Sequence, residues 1–163
     1  MSKTQIATGG IADDAVTAAK ATGFGKLGQI VTTTTALNQD STSTSLAELH
    51  SSCRVAITPS ATGSKILYLV SFPFLSAAAN TGFFMNIYKD VGGGGYADDS
   101  GEISRYSNYQ SSTNNYDVAS WQYLSSPNTT SAVTYTPYVK VNANTVNFGN
   151  SAKFNATVME ILA

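Results

Sequence analysis

The chain of 163 residues fits one ordinary domain of about 100–150 residues with an appendage, and not two independent cores. Charged residues make up 12% of it and the formal net charge is −1, so there is no basic field to draw a nucleic acid and no acidic run to solvate a tail. No stretch reaches the roughly 18–20 apolar residues of a bilayer-spanning helix, and the first residues lack the basic-then-apolar order of a secretion signal, so membrane insertion is not expected.

Residues 1–30 read as an N-terminal stalk or anchoring segment. TQIATGGIADDAVTAAKATGFGKLGQI (residues 4–30) holds one predicted helix of about two turns, in which Asp13 caps the first turn and Asp14 and Lys20 stand at the dipole ends they favour. Such a helix is too short to persist alone in water. Its apolar residues Ile6, Ile11, Val16, Ala19, Phe24 and Leu27 are therefore candidates for anchoring and for burial against other copies of the chain.

Residues 31–163 read as a single β domain. IVTTTTALNQDSTSTSLAEL predicts an extended strand, a turn at Asn38–Asp40 and a second short strand. In CRVAIT, Cys53, Val55 and Ile57 share one face, and the lone Cys53 reads as a small buried thiol with no disulfide partner in the chain. Pro59, Ser60 and Gly63 make a turn before SKILYLVSFPF, a strand apolar on both faces and expected to be covered on both, with Pro73 marking an edge or a bulge. GFFMNIYKD is the next strand. Four consecutive glycines follow it, and residues 91–117 read as one long loop or a weak hairpin. The last third predicts four strands, DVASWQYL, SAVTYTPYVKV with Val133, Tyr135, Val139 and Val141 on one face, TVNF and KFNATVMEIL. Short strands at this spacing, without an internal repeat, specify an all-β sandwich or jelly roll.

Chemistry-bearing patterns are sparse. The single histidine, His50, reads as a solvated turn residue with no nucleophile assigned to it. Gly25-Lys26 is not the end of a phosphate loop, since Lys20 stands where that loop needs glycine and Leu27 where it needs Ser or Thr. Asp98, Asp99 and Glu102 lack the spacing of a calcium loop and read as a solvated acidic loop. No catalytic residue, metal site or cofactor is expected, and the chain is not expected to be an enzyme. The composition of SRYSNYQSSTNNYD does point somewhere, because Tyr supplies broad contact area at low entropy cost while Asn and Ser supply adaptable hydrogen bonds. Tyr96, Tyr106, Asn108, Tyr109, Asn114, Asn115 and Tyr116 are the candidate ligand-binding residues. Trp121, in an alternating stretch, reads as core or subunit interface.

QIATGGIADDAVTAAK (residues 5–20) resembles the short stalk unit of tailed-bacteriophage fibre proteins, with its I-x-D-x-A-V-T-A-A-K kernel. The order and spacing of TTTTALNQDSTSTSLAEL, VAITPSATGSKILYLVSFPF, GFFMNIYKD, ASWQYLSSPNTTSAVTYTPYVKV and FNATVMEIL, over most of residues 32–162, resemble the phage versions of the trimeric jelly roll shared with tumour necrosis factor and the complement head domain. That resemblance implies a homotrimer on the surface of a phage particle, with the C-terminal strand near the threefold axis. Val158, Met159 and Ile161 would line the axis, and Glu160 would need a partner such as Lys140 or Lys153. It implies as partners other virion proteins of fibre, baseplate or capsid, and a host-surface polysaccharide or receptor. The role implied is a trimeric fibre or fibre tip contributing to host recognition, or else a head fibre or capsid decoration protein anchored through residues 4–30.

Overall fold

The computed structural model describes residues 26–76, 78–107 and 114–162, so the expected N-terminal helix lies outside the described residues. The longest apolar alternation, KILYLVSFPFLS, forms strand β4 (Lys65–Ser76), whose odd and even residues part cleanly into buried and half-buried sets. Around it are β1 (Lys26–Ser41), β2 (Ala47–Glu48), β3 (Val55–Ile57), β5 (Gly82–Val91), β6 (Tyr96–Ser107), β7 (Asn115–Ser125), β8 (Val133–Val141) and β9 (Val146–Leu162). No α-helix occurs among the described residues. β1 begins at Lys26, so the sheet takes in residues 26–30 that the sequence reading gave to the stalk.

Two antiparallel sheets face one another. One has the order β1-β9-β4-β7; the other has the order β2-β8-β5-β6, with β3 also pairing β8. After the β5–β6 hairpin the chain changes sheet at every connection, and β1 pairs β9 at the far end of the sequence. This is a jelly-roll β-sandwich. Between the sheets Phe72 lies within 6.3 Å, centroid to centroid, of Phe83, Trp121, Phe148 and Phe154. Trp121 is thus a half-buried wall of the core, in keeping with one of the two roles expected of it.

Several local expectations change. Asn38–Asp40 does not turn the chain; β1 runs through it, with a register shift between Leu37 and Gln39. The shift is forced from β9, where Gly149, Asn150 and Ser151 all have positive φ, and a Cβ on Gly149 would lie 2.2 Å from the Leu37 carbonyl oxygen. The Asn147 amide donates to Asn38 Oδ1 at 2.8 Å and Asp40 Oδ1 at 2.7 Å, so turn-forming side chains here brace a bulge. For the same reason TVNF and KFNATVMEIL are one bulged strand rather than two. Pro73 lies in a central strand, paired with Val118 of β7, and the register shift toward β9 between Ser71 and Phe74 accommodates its missing N–H.

Residues 91–117 are not one loop. Gly92, Gly93 and Gly95 take the positive φ of a tight turn, Asp90 Oδ1 accepts from Gly95 N–H at 3.0 Å, and β6 then returns along β5. Of the three acidic residues here, Glu102 is exposed as expected and Asp98, also exposed, accepts from Asn86 Nδ2 at 2.7 Å, while Asp99 is built in, pairing with Lys89 at 2.6 Å and accepting from the Ser125 hydroxyl. Cys53 is buried as expected, and burial pushes its thiol up to about 12.

Candidate functional site

Because side chains alternate along a strand, each sheet presents one face to the core and one outward. In the four-stranded sheet the register sets outward residues in rows: Ile30–Met159–Leu67–Leu124, then Thr32–Thr157–Leu69–Gln122, then Thr34–Asn155–Ser71–Ser120. None of these twelve residues is charged, and the same face carries Lys65, opposite Ile161, and Lys153, opposite Ala36, at its margins. Two polar pairs are bonded within the rows, Thr32 with Thr157 at 3.1 Å and Thr34 with Asn155 at 2.9 Å. A depression of about 570 Å³ lies over Leu69, walled by Ser71, Ser120, Gln122, Asn155 and Thr157. Of the six exposed large apolar residues described, Leu27, Ile30, Tyr116, Val118 and Leu124 belong to this sheet, and Val91 alone lies elsewhere.

The five-stranded sheet turns a different face outward. Arg54 sits 5.0 Å over the Tyr96 ring and is fixed by two hydrogen bonds, of 2.6 and 2.7 Å, to the Glu48 carboxylate. Those donors hold Glu48 below the usual carboxylate range. Tyr88 and Tyr138 stack at 3.8 Å, and Arg105 and Lys140 both lean on Phe84, at 4.9 and 4.7 Å.

The candidate ligand residues are not brought together. Tyr96 stands at the β5–β6 turn opposite Asp90, whereas Tyr106 is opposite Phe83, seven steps of β5 and so about 24 Å away. Tyr96 is half-buried against Tyr138. Tyr106 is packed 4.4 Å from Phe74, its hydroxyl accepting from Asn115 Nδ2 at 2.7 Å, which makes both residues part of the wall rather than a free tip. Asn114, at φ 67°, and Tyr116 remain exposed at that end, and Asn108 and Tyr109 lie outside the described residues. His50 does more than face solvent, since its Nδ1 caps the short 3₁₀ turn Ser51–Cys53 by accepting from Ser52 N–H at 3.1 Å.

Among the anchoring and axial candidates, Ile6, Ile11, Val16, Ala19 and Phe24 lie outside the described residues, and Leu27 is exposed on β1. Met159 and Ile161 are half-buried on the outward face, but Val158 points into the sandwich and is fully buried, because it alternates with them. Glu160 also points inward, and neither lysine meets it. Its Oε1 accepts from Ser60 N–H at 2.6 Å and Ser60 Oγ at 2.7 Å, and its Oε2 from Gln29 Nε2 at 3.1 Å. Burial alone would raise its pKa, and these donors outweigh that and lower it. The sequence reading missed Arg54 on Tyr96, the two cations on Phe84 and the Tyr88–Tyr138 stack; the alternation of Tyr138 and Lys140 in YVKV was the available signal.

No family model matches the chain, and no curated protein is significantly similar to it. Among solved structures, a protein of the T13 viral particle of infectious bursal disease virus is similar in fold, with a TM-score of 0.51 at 10% identity over 83% of this chain and 36% of that one. A chain of the VP2 subviral particle of the same virus aligns at 10% identity and TM-score 0.43, over 83% of this chain and 38% of that one. The Yersinia pseudotuberculosis-derived mitogen aligns at 18% identity and TM-score 0.27, over 83% of this chain and 86% of that one. The first likeness places the fold beside a viral-particle jelly roll, and the other two add nothing to it. This chain spans little more than a third of the viral chains it matches.

Proposed function

We propose that the chain is a structural protein of a virus particle surface, a phage fibre or fibre-tip protein that assembles as a homotrimer and contributes to host-surface recognition. The observation that carries this reading is the outward face of the four-stranded sheet. Its central rows are free of charge, with Lys65 and Lys153 at their margins, and it gathers five of the six exposed large apolar residues described. Central rows without charge can meet a symmetry copy of themselves without like-charge repulsion, which closed symmetry requires. Buried in this way, Met159 and Ile161 of β9 approach the axis while Val158 stays in the core. Residues 4–25 then serve as the base that docks on another virion protein.

The chain's role in this reading is assembly and binding rather than catalysis. Likeness in fold to a viral-particle protein favours a second reading, a head fibre or capsid decoration protein anchored through the same N-terminal residues. Gold-labelled antibody electron microscopy of intact virions tests both. Label on tail appendages supports the fibre, label spread over the head supports decoration, and unlabelled virions overturn the particle assignment.

A further inference from the structure

We propose that the outward face of the five-stranded sheet carries a subsite for a neutral glycan, built on the rings of Tyr88, Tyr138 and Tyr96. Register gathers them from three strands: Tyr138 of β8 lies opposite Asn86, two steps along β5 from Tyr88, and Tyr96 of β6 lies opposite Asp90, two steps the other way. Tyr88 stacks on Tyr138 at 3.8 Å and 14°, Tyr138 lies 6.2 Å from Tyr96, and Arg54 lies 5.0 Å over Tyr96. All three tyrosines are half-buried. Their hydroxyls have no hydrogen bond among the described residues, whereas those of Tyr106, Tyr123 and Tyr135 each have one. A sugar ring presents an apolar C–H face, which ring carbons can cover, and a rim of hydroxyls, which free phenols can pair.

The charges around the rings select a neutral ligand. Arg54 is committed to Glu48 by two hydrogen bonds, and Lys89 to Asp99. Three carboxylates remain beside the rings without an ion pair among the described residues. Asp98, opposite Tyr88, accepts from Asn86 Nδ2 and the Gly101 N–H; Asp90 accepts from the Gly95 N–H; and the exposed Glu102 stands opposite Asn86. They repel a phosphate or a uronate, and they accept from sugar hydroxyls. Lys140 and Arg105 stand at Phe84, four steps of β5 and so about 13 Å from Tyr88. The rings lie on the opposite side of the sandwich from the proposed trimer face, so they stay open in one copy or in three. The subsite rests on the host-recognition part of the proposed function, whose ligand class it names.

The test is a microarray of neutral hexose and N-acetylhexosamine oligosaccharides, printed beside uronate and phosphate glycans and probed with the full chain. The expected result is signal on neutral spots, none on anionic ones, and no weakening as salt rises. Against the strongest neutral spot, Tyr138→Ala should weaken binding about tenfold or more, because the ring is lost. Tyr138→Phe keeps the ring and removes only the hydroxyl, so it should stay folded and weaken binding about threefold. Signal confined to anionic glycans, signal lost as salt rises, no signal at all, or unchanged binding by both Tyr138 variants overturns the subsite. Gold labelling of virions keeps the two proposals separable: labelled virions without glycan binding refute only the subsite, and glycan binding by a chain absent from virions refutes only the particle assignment.

Discussion

The two outward faces of this sandwich obey the same alternation and carry opposite chemistry. Across β1, β9, β4 and β7 the central rows are Ile, Met, Leu, Thr, Asn, Ser and Gln, with Lys65 and Lys153 only at the margins, Thr32 bonded to Thr157 and Thr34 to Asn155. Across β8, β5 and β6 they are Tyr, Phe, Lys and Arg, with Arg54 tied to Glu48 and its guanidinium lying on a ring. A surface that faces water tolerates charge and uses long side chains to cover apolar area; under the proposed trimer, a surface that faces its own copy keeps charge to its margins. The sandwich is therefore sided.

The strongest way to break this comparison is to put a charge into the centre of the four-stranded sheet's outward face. Leu67→Glu places a carboxylate in the Ile30–Met159–Leu67–Leu124 row, and an uncompensated charge in a buried contact costs about 3–5 kcal/mol, enough to abolish association while leaving the sandwich folded. The matched change on the other face, Tyr88→Glu, should leave the oligomeric state unchanged by sedimentation.

A second comparison is between glycines. Gly149→Ala drives a Cβ into the Leu37 carbonyl at φ 88° and should lower unfolding free energy by about 3 kcal/mol or more. Gly93→Ala, at φ 83° with nothing within 4 Å, carries only backbone strain and should cost about 1 kcal/mol in the same urea titration.

The glycine contrast also marks how far the sequence could be read. Inside and outside were legible wherever alternation was unambiguous, as at Cys53, Val55 and Ile57, all of which are buried. In β9 both sets are apolar, so the sequence could not tell that Val158 faces the core and Met159 the outside. β6 was legible only as the weak-hairpin alternative because YADDSGEISRYS has no apolar period; its pairing is supplied by β5 and by the Asp98, Asp99 and Ser100 hydrogen bonds, all long-range. The Ser60 partner of Glu160 is a hundred residues away and nothing local announces it. The candidate tyrosines cluster in sequence, but a strand that rises about 3.3 Å per residue pulls Tyr96 and Tyr106 apart.

Smaller effects sharpen the picture within the wall between the faces. Lys89→Met leaves Asp99 without its 2.6 Å partner in a mostly buried site and should cost about 1–3 kcal/mol, read as a lowered melting temperature. The smallest effect is one of pH. The folded-state pKa of Glu160 is depressed, so its stabilisation is complete above the ordinary value of 4.5 and fades as pH falls through the lower, folded value. Glu160→Gln should flatten that part of the acid-unfolding curve, measured as denaturant midpoint against pH, and unchanged curvature would remove Glu160 as its source.

The proposal that the outward face of the four-stranded sheet is covered by copies of the chain is tested most directly by sedimentation equilibrium of the parent beside Leu67→Glu. A parent at three times the chain mass and a folded variant at one times it is the predicted result. A parent that stays monomeric at micromolar concentration, or a Leu67→Glu trimer as stable as the parent, would contradict it.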